Sequence, residues 1–428
     1  MNNYLPQPRR IAIACGGTGG HLFPGIAIAE KLAERGCDVT LLVSSKEVDQ
    51  QVVKNSKDVE VVTLPAVGLK RGGVVAFLRG FHRSHRAARR LFRSHVPDAV
   101  LAMGGFTGAP PILAGRSAGA LTFLHESNTI PGRANCWLSW VVDHAFVGFA
   151  SAGARFKRCR VTVSGTPARS QFHWQDVASC RRALGLDPSR PVLLVMGGSQ
   201  GAGGINEIIG RSLPVFAKLA PEHQWFHLAG PKDTLRLQRK YADLQLKAVV
   251  HPFFDRMELA LGAASAAVSR AGASSLAELA AMRLPSVLVP FPAATDNHQM
   301  HNARAYSTSG AAWLIEQNRS TPEVLAKSLL ELAQNETVRE TMRTALARWD
   351  RPLAANQIAE SILEAVSGQT TSWSADPETS GLAAEMDVRA EANAPVAITH
   401  SAMPVVSAAP LAAQPITHRT GREAAATL

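Results

Sequence analysis

Two glycine-rich segments, one histidine and two glutamates hold most of the chemistry legible in this chain. CGGTGGHLFPG (15–25) follows the apolar run Ile11–Ala14, and GGSQGAGGIN (197–206) follows VLLVM (192–196). A strand that feeds a glycine loop and then a helix aims bare amides at a phosphate, because glycine lets the backbone approach closely and a helix start favours negative charge. The first loop is no dinucleotide fingerprint, since Leu22 stands where G-x-G-x-x-G needs its last glycine. It is no P-loop either, since Gly-Lys occurs nowhere in the chain. Each loop alone could be a tight turn; two at equivalent places point to ligand contact.

His21 stands where the first loop becomes a helix, and an imidazole there suits either proton transfer or a hydrogen bond to phosphate. Glu126, with His125 and Asn128 in HESN, follows a predicted strand; the cluster either reaches a ligand or closes a buried turn network. Glu278 lies in SSLAELAAM, a predicted helix led by the small residues 271–275, so backbone and carboxylate can face one ligand. Residues 1–366 contain no Asp-x-Asp, and no metal or other cofactor is expected. The five cysteines form no C-x-x-C, which speaks against a zinc site or a disulfide framework and for a reducing compartment.

Positioning these groups requires parallel βαβ units. Strand-like runs at 11–14, 39–43, 59–64, 99–103, 121–124 and 145–147 alternate with helical patterns, pause near Ser164–Pro167, and restart at 192–196, 249–250, 266–269 and 287–289. The fold class expected is α/β, with two similar Rossmann-like halves facing a cleft and a glycine loop on either side. The divisions expected are 1–166, 167–350, a helix over 351–366, and a disordered tail over 367–428 built of Ala, Pro, Ser, Thr and Glu.

At 428 residues and 46% hydrophobic composition the chain can bury two cores. Its net charge is +11, and the tail holds six acids against three arginines, so the remainder is more basic still and calls for an anionic partner. Between Val61 and Pro97 there is no acid, yet Lys70, Arg71, Arg79, Arg83, Arg86, Arg89, Arg90 and Arg93 are present. Apolar residues recur at helical spacing beside this basic stripe, which is either a packed helix with a solvated face or a patch for an anionic membrane surface. No nucleic-acid motif accompanies the basic residues, so nucleic acid is not the expected polyanion. The N-terminus lacks a signal-peptide core, and no stretch spans a membrane.

The segments GGTGGHLFPGIAIA, MGGFTGAPP, HESNTIPGRAN, GTPAR, GGSQGAGGIN, SRAGASSLAELAA and PFPAATDNHQMHNA, in that order, resemble the motifs of the MurG family of peptidoglycan N-acetylglucosaminyltransferases across residues 10 to 365. The resemblance implies a GT-B fold and inverting transfer of GlcNAc from UDP-GlcNAc to the C4 hydroxyl of the muramyl sugar on undecaprenyl-pyrophosphate, converting lipid I to lipid II. It places the acceptor on the first half and the nucleotide sugar on the second, with work at the cytoplasmic face of the inner membrane beside other wall-building proteins. His21 then becomes the base or a phosphate donor, with Glu126 as rival base. The donor would meet Thr18, Gly19, Gly20, Asn128, Arg169, Ser199 and Gln200, with Phe254 beside the uracil, Glu278 on the ribose, and Arg270, Ala273 and Ser275 as neighbours. Asp296, His298, Gln299 and Asn302 offer partners for sugar hydroxyls, Gln299 reading the one that separates GlcNAc from GalNAc. Two departures stand out: Ser127 where the family usually has Gln, and Thr166 where it has Asn. A UDP-GlcNAc 2-epimerase-like enzyme or a silent UDP-sugar sensor are the competing readings.

Overall fold

The computed structural model describes residues 8–15, 19–44, 59–65, 73–197, 203–319 and 321–368. Thr18, Ser199, Gln200, Lys70, Arg71 and nearly all of the expected tail lie outside them. Thirteen strands among the described residues form two sheets, parallel throughout. The first has β1 (Arg10–Ala14), β2 (Asp38–Ser44), β3 (Glu60–Leu64), β4 (Ala99–Ala102), β5 (Leu121–Glu126), β6 (His144–Val147) and β7 (Arg160–Val163), in the order β3-β2-β1-β4-β5-β6-β7. The second has β8 (Val192–Met196), β9 (Gln224–Leu228), β10 (Ala248–His251), β11 (Ala266–Ser269), β12 (Ser286–Leu288) and β13 (Trp313–Leu314), in the order β10-β9-β8-β11-β12-β13.

Both sheets reverse direction of growth beside their first strand: β1 pairs with β2 and β4, and β8 with β9 and β11. Open α/β sheets bind ligands at such switch points, beyond the carboxyl ends of the strands. Both glycine loops leave from those ends, the first from β1 and the second from β8.

Near-continuous apolar strands follow from burial on both faces. Ile11 and Ile13 enter one core with Leu101 and Phe123, while Ala12 and Ala14 enter the other with Ala102 and Leu124. The helix Gly19–Ala33 covers the first face, and Val74–Ser94 and Ala109–Ser117 the second. The last helix, Ala354–Val366, returns to the first sheet after the chain has built the second. Its Ile358, Ala359 and Ile362 join the core of Ile11 and Ile13, and Arg35 meets Glu360 at 2.7 Å.

Three strands escape the sequence pattern. β9 reads as polar because Gln224 and His227 interrupt it, yet both are fully buried in hydrogen bonds. β7 is an edge strand with mostly exposed residues, and β13 has two residues only.

Candidate functional site

His21 is held by backbone. Gly104 and Gly105, after β4, have φ of +108° and +75°, and a Cβ on either would stand 3.2 to 3.3 Å from the imidazole ring. Only glycine takes both the backbone angle and the close approach without strain. The MGGFTGAPP segment is thus the bed on which the His21 ring lies, with the Asn135 amide against the same glycine.

Glu126 ends β5 and is 3% exposed. One carboxylate oxygen accepts from the Asn128 backbone N–H at 2.9 Å and its amide at 3.0 Å; the other accepts from the Gly132 N–H at 3.0 Å and the Asn135 amide at 2.7 Å. Four donors fill a carboxylate's acceptor positions. Glu126 therefore has no lone pair left for an incoming hydroxyl, which corrects its reading as rival base. His125 also turns inward: Nε2 meets the Gly165 carbonyl at 3.1 Å and Nδ1 the Ser127 hydroxyl at 3.2 Å. Burial lowers its pKa to about 4, so the ring is neutral and carries its proton on Nε2. Of the two readings of HESN, the buried turn network is the one realised for His125 and Glu126.

Asn302, expected to meet a sugar, is instead fully buried between the two halves. Its oxygen accepts from the Thr129 N–H and hydroxyl, both at 3.0 Å, and its nitrogen donates to Asn128 Oδ1 at 3.0 Å and the Ala271 carbonyl at 3.1 Å. An asparagine can do this where an aspartate cannot, because it needs two donors as well as an acceptor. Asn302→Ala strands three buried polar groups and one partly buried one, and the expected cost is ~3 kcal/mol of unfolding free energy, read by denaturant titration.

A second joint arises from Pro24. Lacking an N–H, it cannot bond the Gly20 carbonyl within the helix Gly19–Ala33. The hydroxyl of Ser274, in the first turn of the helix Ala273–Ala281, donates to that carbonyl at 3.0 Å. Gly20 thereby sits against Ser274, with Gly19 and His21 in the same helical turn, while Asn128 reaches the second half through Asn302.

Glu278 is 8% exposed, and its Oε1 lies 3.5 Å from Arg169 Nη2. Burial raises the carboxyl pKa to about 7, against the lowering effect of Arg169. The Arg169 guanidinium stacks over Phe23 at 4.3 Å and Phe172 at 4.9 Å, touching both halves. Arg270, by contrast, faces into the fold. It donates to the Val289 and Pro290 carbonyls at 2.9 and 3.0 Å and to Gln317 Oε1 at 2.8 Å. These bonds use three of its five N–H donors and pin the loop after β12. Gln317 in turn abuts Gly204, where any Cβ would collide with its amide, so Arg270 and Gln317 set the seat of the helix Gly203–Leu219.

That helix is fixed from behind as well. Asn206 donates to the Ala229 carbonyl and to Asp233, both at 2.7 Å, and accepts from His227, whose Nδ1 meets the Tyr241 hydroxyl at 3.0 Å. Asn206 stands in the second glycine motif, a signal that was available in sequence; Gln317, His227 and Tyr241 lie in no motif. His298 and Gln299 open the helix His298–Thr308 after two left-handed residues, Asp296 and Asn297. His298 Nδ1 meets the Thr295 carbonyl at 2.7 Å, and Gln299 Oε1 accepts from the Phe291 N–H at 3.0 Å. Phe254 is half-buried, with its ring 5.0 Å from Phe226 and 5.6 Å from His251.

The chain matches the glycosyltransferase family 28 N-terminal domain over residues 11–147 and the family 28 C-terminal domain over 192–358. A relative from Anaeromyxobacter dehalogenans, named UDP-N-acetylglucosamine--N-acetylmuramyl-(pentapeptide) pyrophosphoryl-undecaprenol N-acetylglucosamine transferase, is 36% identical over 83% of this chain and 93% of its own. One of the same name from Desulforudis audaxviator is 36% identical over 85% of this chain and all of its own. The crystal structure of Acinetobacter baumannii MurG superposes with a TM-score of 0.67 at 28% identity, covering 83% of this chain and 100% of that one. A putative UDP-N-acetylglucosamine 2-epimerase from Listeria monocytogenes, at 14% identity, TM-score 0.62 and coverage of 84% of this chain and 97% of its own, shares the fold.

Proposed function

The chain belongs to glycosyltransferase family 28, to its MurG group of N-acetylglucosamine transferases, and we propose that its cleft moves GlcNAc from UDP-GlcNAc to the muramyl sugar of an undecaprenyl-pyrophosphate-linked acceptor. The observation that carries the reading is the pair of joints, Ser274 to Gly20 and Asn302 to Asn128, which sets the start of the first glycine-loop helix against Ala273–Glu278.

The acceptor C4 hydroxyl attacks the anomeric carbon in one inverting displacement. With Glu126 occupied, His21 is the group that takes the proton or donates to the leaving phosphate, its ring fixed over Gly104 and Gly105. Charge developing on the diphosphate is met by the amides that open the helix Gly203–Leu219 and by Arg169. Glu278 accepts from the ribose hydroxyls, Phe254 lies beside the uracil, and Asn128, His298 and Gln299 meet the sugar. The reaction proceeds without a catalytic metal.

Transfer of labelled GlcNAc to a lipid I analogue in excess EDTA tests this. His21→Ala should lower kcat by about 100-fold or more with little change in the UDP-GlcNAc KM. A parent protein that binds UDP-GlcNAc by calorimetry yet transfers nothing to any lipid-linked acceptor would overturn the transferase reading.

No helix among the described residues is long and apolar enough to cross a membrane. The helix Val74–Ser94 exposes Arg79, Arg83, Arg86, Arg89, Arg90 and Arg93, with Val75 60% and Leu78 57% exposed and Phe106 44% exposed nearby. Apolar residues dipping among headgroups under a basic stripe suit the anionic cytoplasmic face of the inner membrane. Vesicles with anionic lipid should bind the protein, salt should release it, and Arg83→Glu/Arg86→Glu should cut binding about tenfold or more, as read by cosedimentation.

A further inference from the structure

Where the chain crosses between the two sheets it leaves a cavity of about 890 Å³, within the range of small-molecule sites. One crossing follows β7 and contributes Arg169, Phe172 and Trp174; the other, at residues 348–352, brings the chain back to the last helix. The floor is the face of the helix Ala273–Ala281 formed by Ala273, Ala277 and Ala281, small residues that leave the volume open.

Its walls are aromatic. Phe149, Tyr306 and Trp349 pack together, with Tyr306 and Trp349 stacked at 4.4 Å, and Trp174 stands at the cavity 80% exposed. Its charge is one-sided: Arg169, Arg283, Arg348 and Arg351 line it against a single carboxylate, Asp350. Arg169 Nε is buried and finds no hydrogen-bond acceptor among the described residues, an unusual state for a guanidinium.

We propose that this cavity binds a small amphipathic anion, an apolar or aromatic body carrying one carboxylate, sulfonate or phosphate, and that its occupation weakens donor binding through Arg169. The body lies between the aromatic walls and the alanine floor, and the anion meets the arginines. Arg169 is the partition between this cavity and Glu278, which it contacts at 3.5 Å. An anion engaging Arg169 from the cavity side draws it from that carboxylate, and the loosened Glu278 then holds a nucleotide less well. The coupling is reciprocal: bound donor disfavours the anion by the same factor. This second part rests on Glu278 being the ribose acceptor; the binding itself does not.

The probe is 1-anilinonaphthalene-8-sulfonate, followed by its fluorescence and by energy transfer from tryptophan, with uncharged N-phenyl-1-naphthylamine as control. One saturable site is expected, about tenfold tighter for the sulfonate than for the neutral compound. Arg283→Gln/Arg348→Gln should weaken the sulfonate about tenfold and leave the neutral compound unchanged. Ala281→Phe, which fills the floor, should abolish both; if that variant does not fold, the arginine pair alone decides. Saturating sulfonate should raise the UDP-GlcNAc dissociation constant several-fold in the parent and not in the arginine pair. Sulfonate binding that ignores both variants, or equal affinity for the neutral compound, overturns the site. Binding that behaves as described with unaltered donor affinity overturns the coupling. A parent protein that binds no UDP-GlcNAc at all counts against the donor reading instead.

Discussion

Glu278→Gln is expected to weaken UDP-GlcNAc binding by about 100-fold, because two hydrogen bonds from ribose to a carboxylate are worth roughly 1.5 to 3 kcal/mol each and an amide reproduces only part of them. The loss should appear in the donor KM and in calorimetric affinity. The buried position adds a pH signature. The folded carboxyl pKa is raised from 4.5 to about 7, so the parent binds donor best above pH 7 and progressively less below it. UDP-GlcNAc is a diphosphate diester and stays fully ionised over that range, which assigns the change to the protein.

The same shift dictates a stability effect of opposite sense. Below pH 4.5 Glu278 is protonated in both folded and unfolded chains, and the group costs nothing. As pH rises from 4.5 to 7 the unfolded chain releases the proton while the folded one keeps it, so folding loses up to about 3 kcal/mol. Above pH 7 both states are ionised and the loss is complete. Glu278→Gln has no such proton to lose, so the unfolding free energy of parent relative to variant should fall by that amount between pH 4.5 and 7.5. A flat difference in chemical denaturation across this range, or a variant that binds donor as the parent does, would remove Glu278 from its assigned place.

Glu126→Ala should abolish transfer and destabilise the fold together. Four donors lose their acceptor at once: two backbone N–H groups and the amides of Asn128 and Asn135. Stranding a buried donor costs about 1 to 3 kcal/mol; the Asn135 amide is fully buried and the other three donors only partly, so the expected loss is about 2 to 3 kcal/mol. Glu126→Gln should also lose, since each carboxylate oxygen accepts from a backbone N–H and, whichever way the new amide sits, its NH₂ faces one of them. Activity fails because Asn128 is released from one side while Asn302 still holds it from the other, and because Asn135, bonded to Glu126, packs against Gly104, one of the two glycines that bed His21. A proton-accepting role predicts something different: unchanged unfolding behaviour with only kcat reduced. That outcome would restore Glu126 as the base and remove its role in the network.

The contrast between these two glutamates shows where sequence stops being sufficient. Glu278 lies on a helix behind small residues, where a lone glutamate ordinarily reads as solvated surface; only the motif around it points to a ligand. Glu126 lies at a strand end in a polar cluster, where the pattern permits either a reactive group or a structural one. The choice is made by Gly132 and Asn135, whose approach depends on how the following turn closes.

The alternation of strand and helix, the two glycine loops and the basic helix follow from local periodicity: parallel strands buried on both faces must be apolar throughout, and helices must carry one apolar stripe. Those features, with the motifs that led to the family, were set by the sequence alone. The tertiary structure decided which polar residues turn outward. Asn302 became a joint because Thr129, 173 residues away, arrives beside it. Arg270 became a strut because Gln317 and the Val289 carbonyl surround it. The last helix closes the first sheet because its apolar face finds the core of Ile11 and Ile13 there. A polar side chain carries no record of its distant partners, and burial leaves it only the roles that those partners allow.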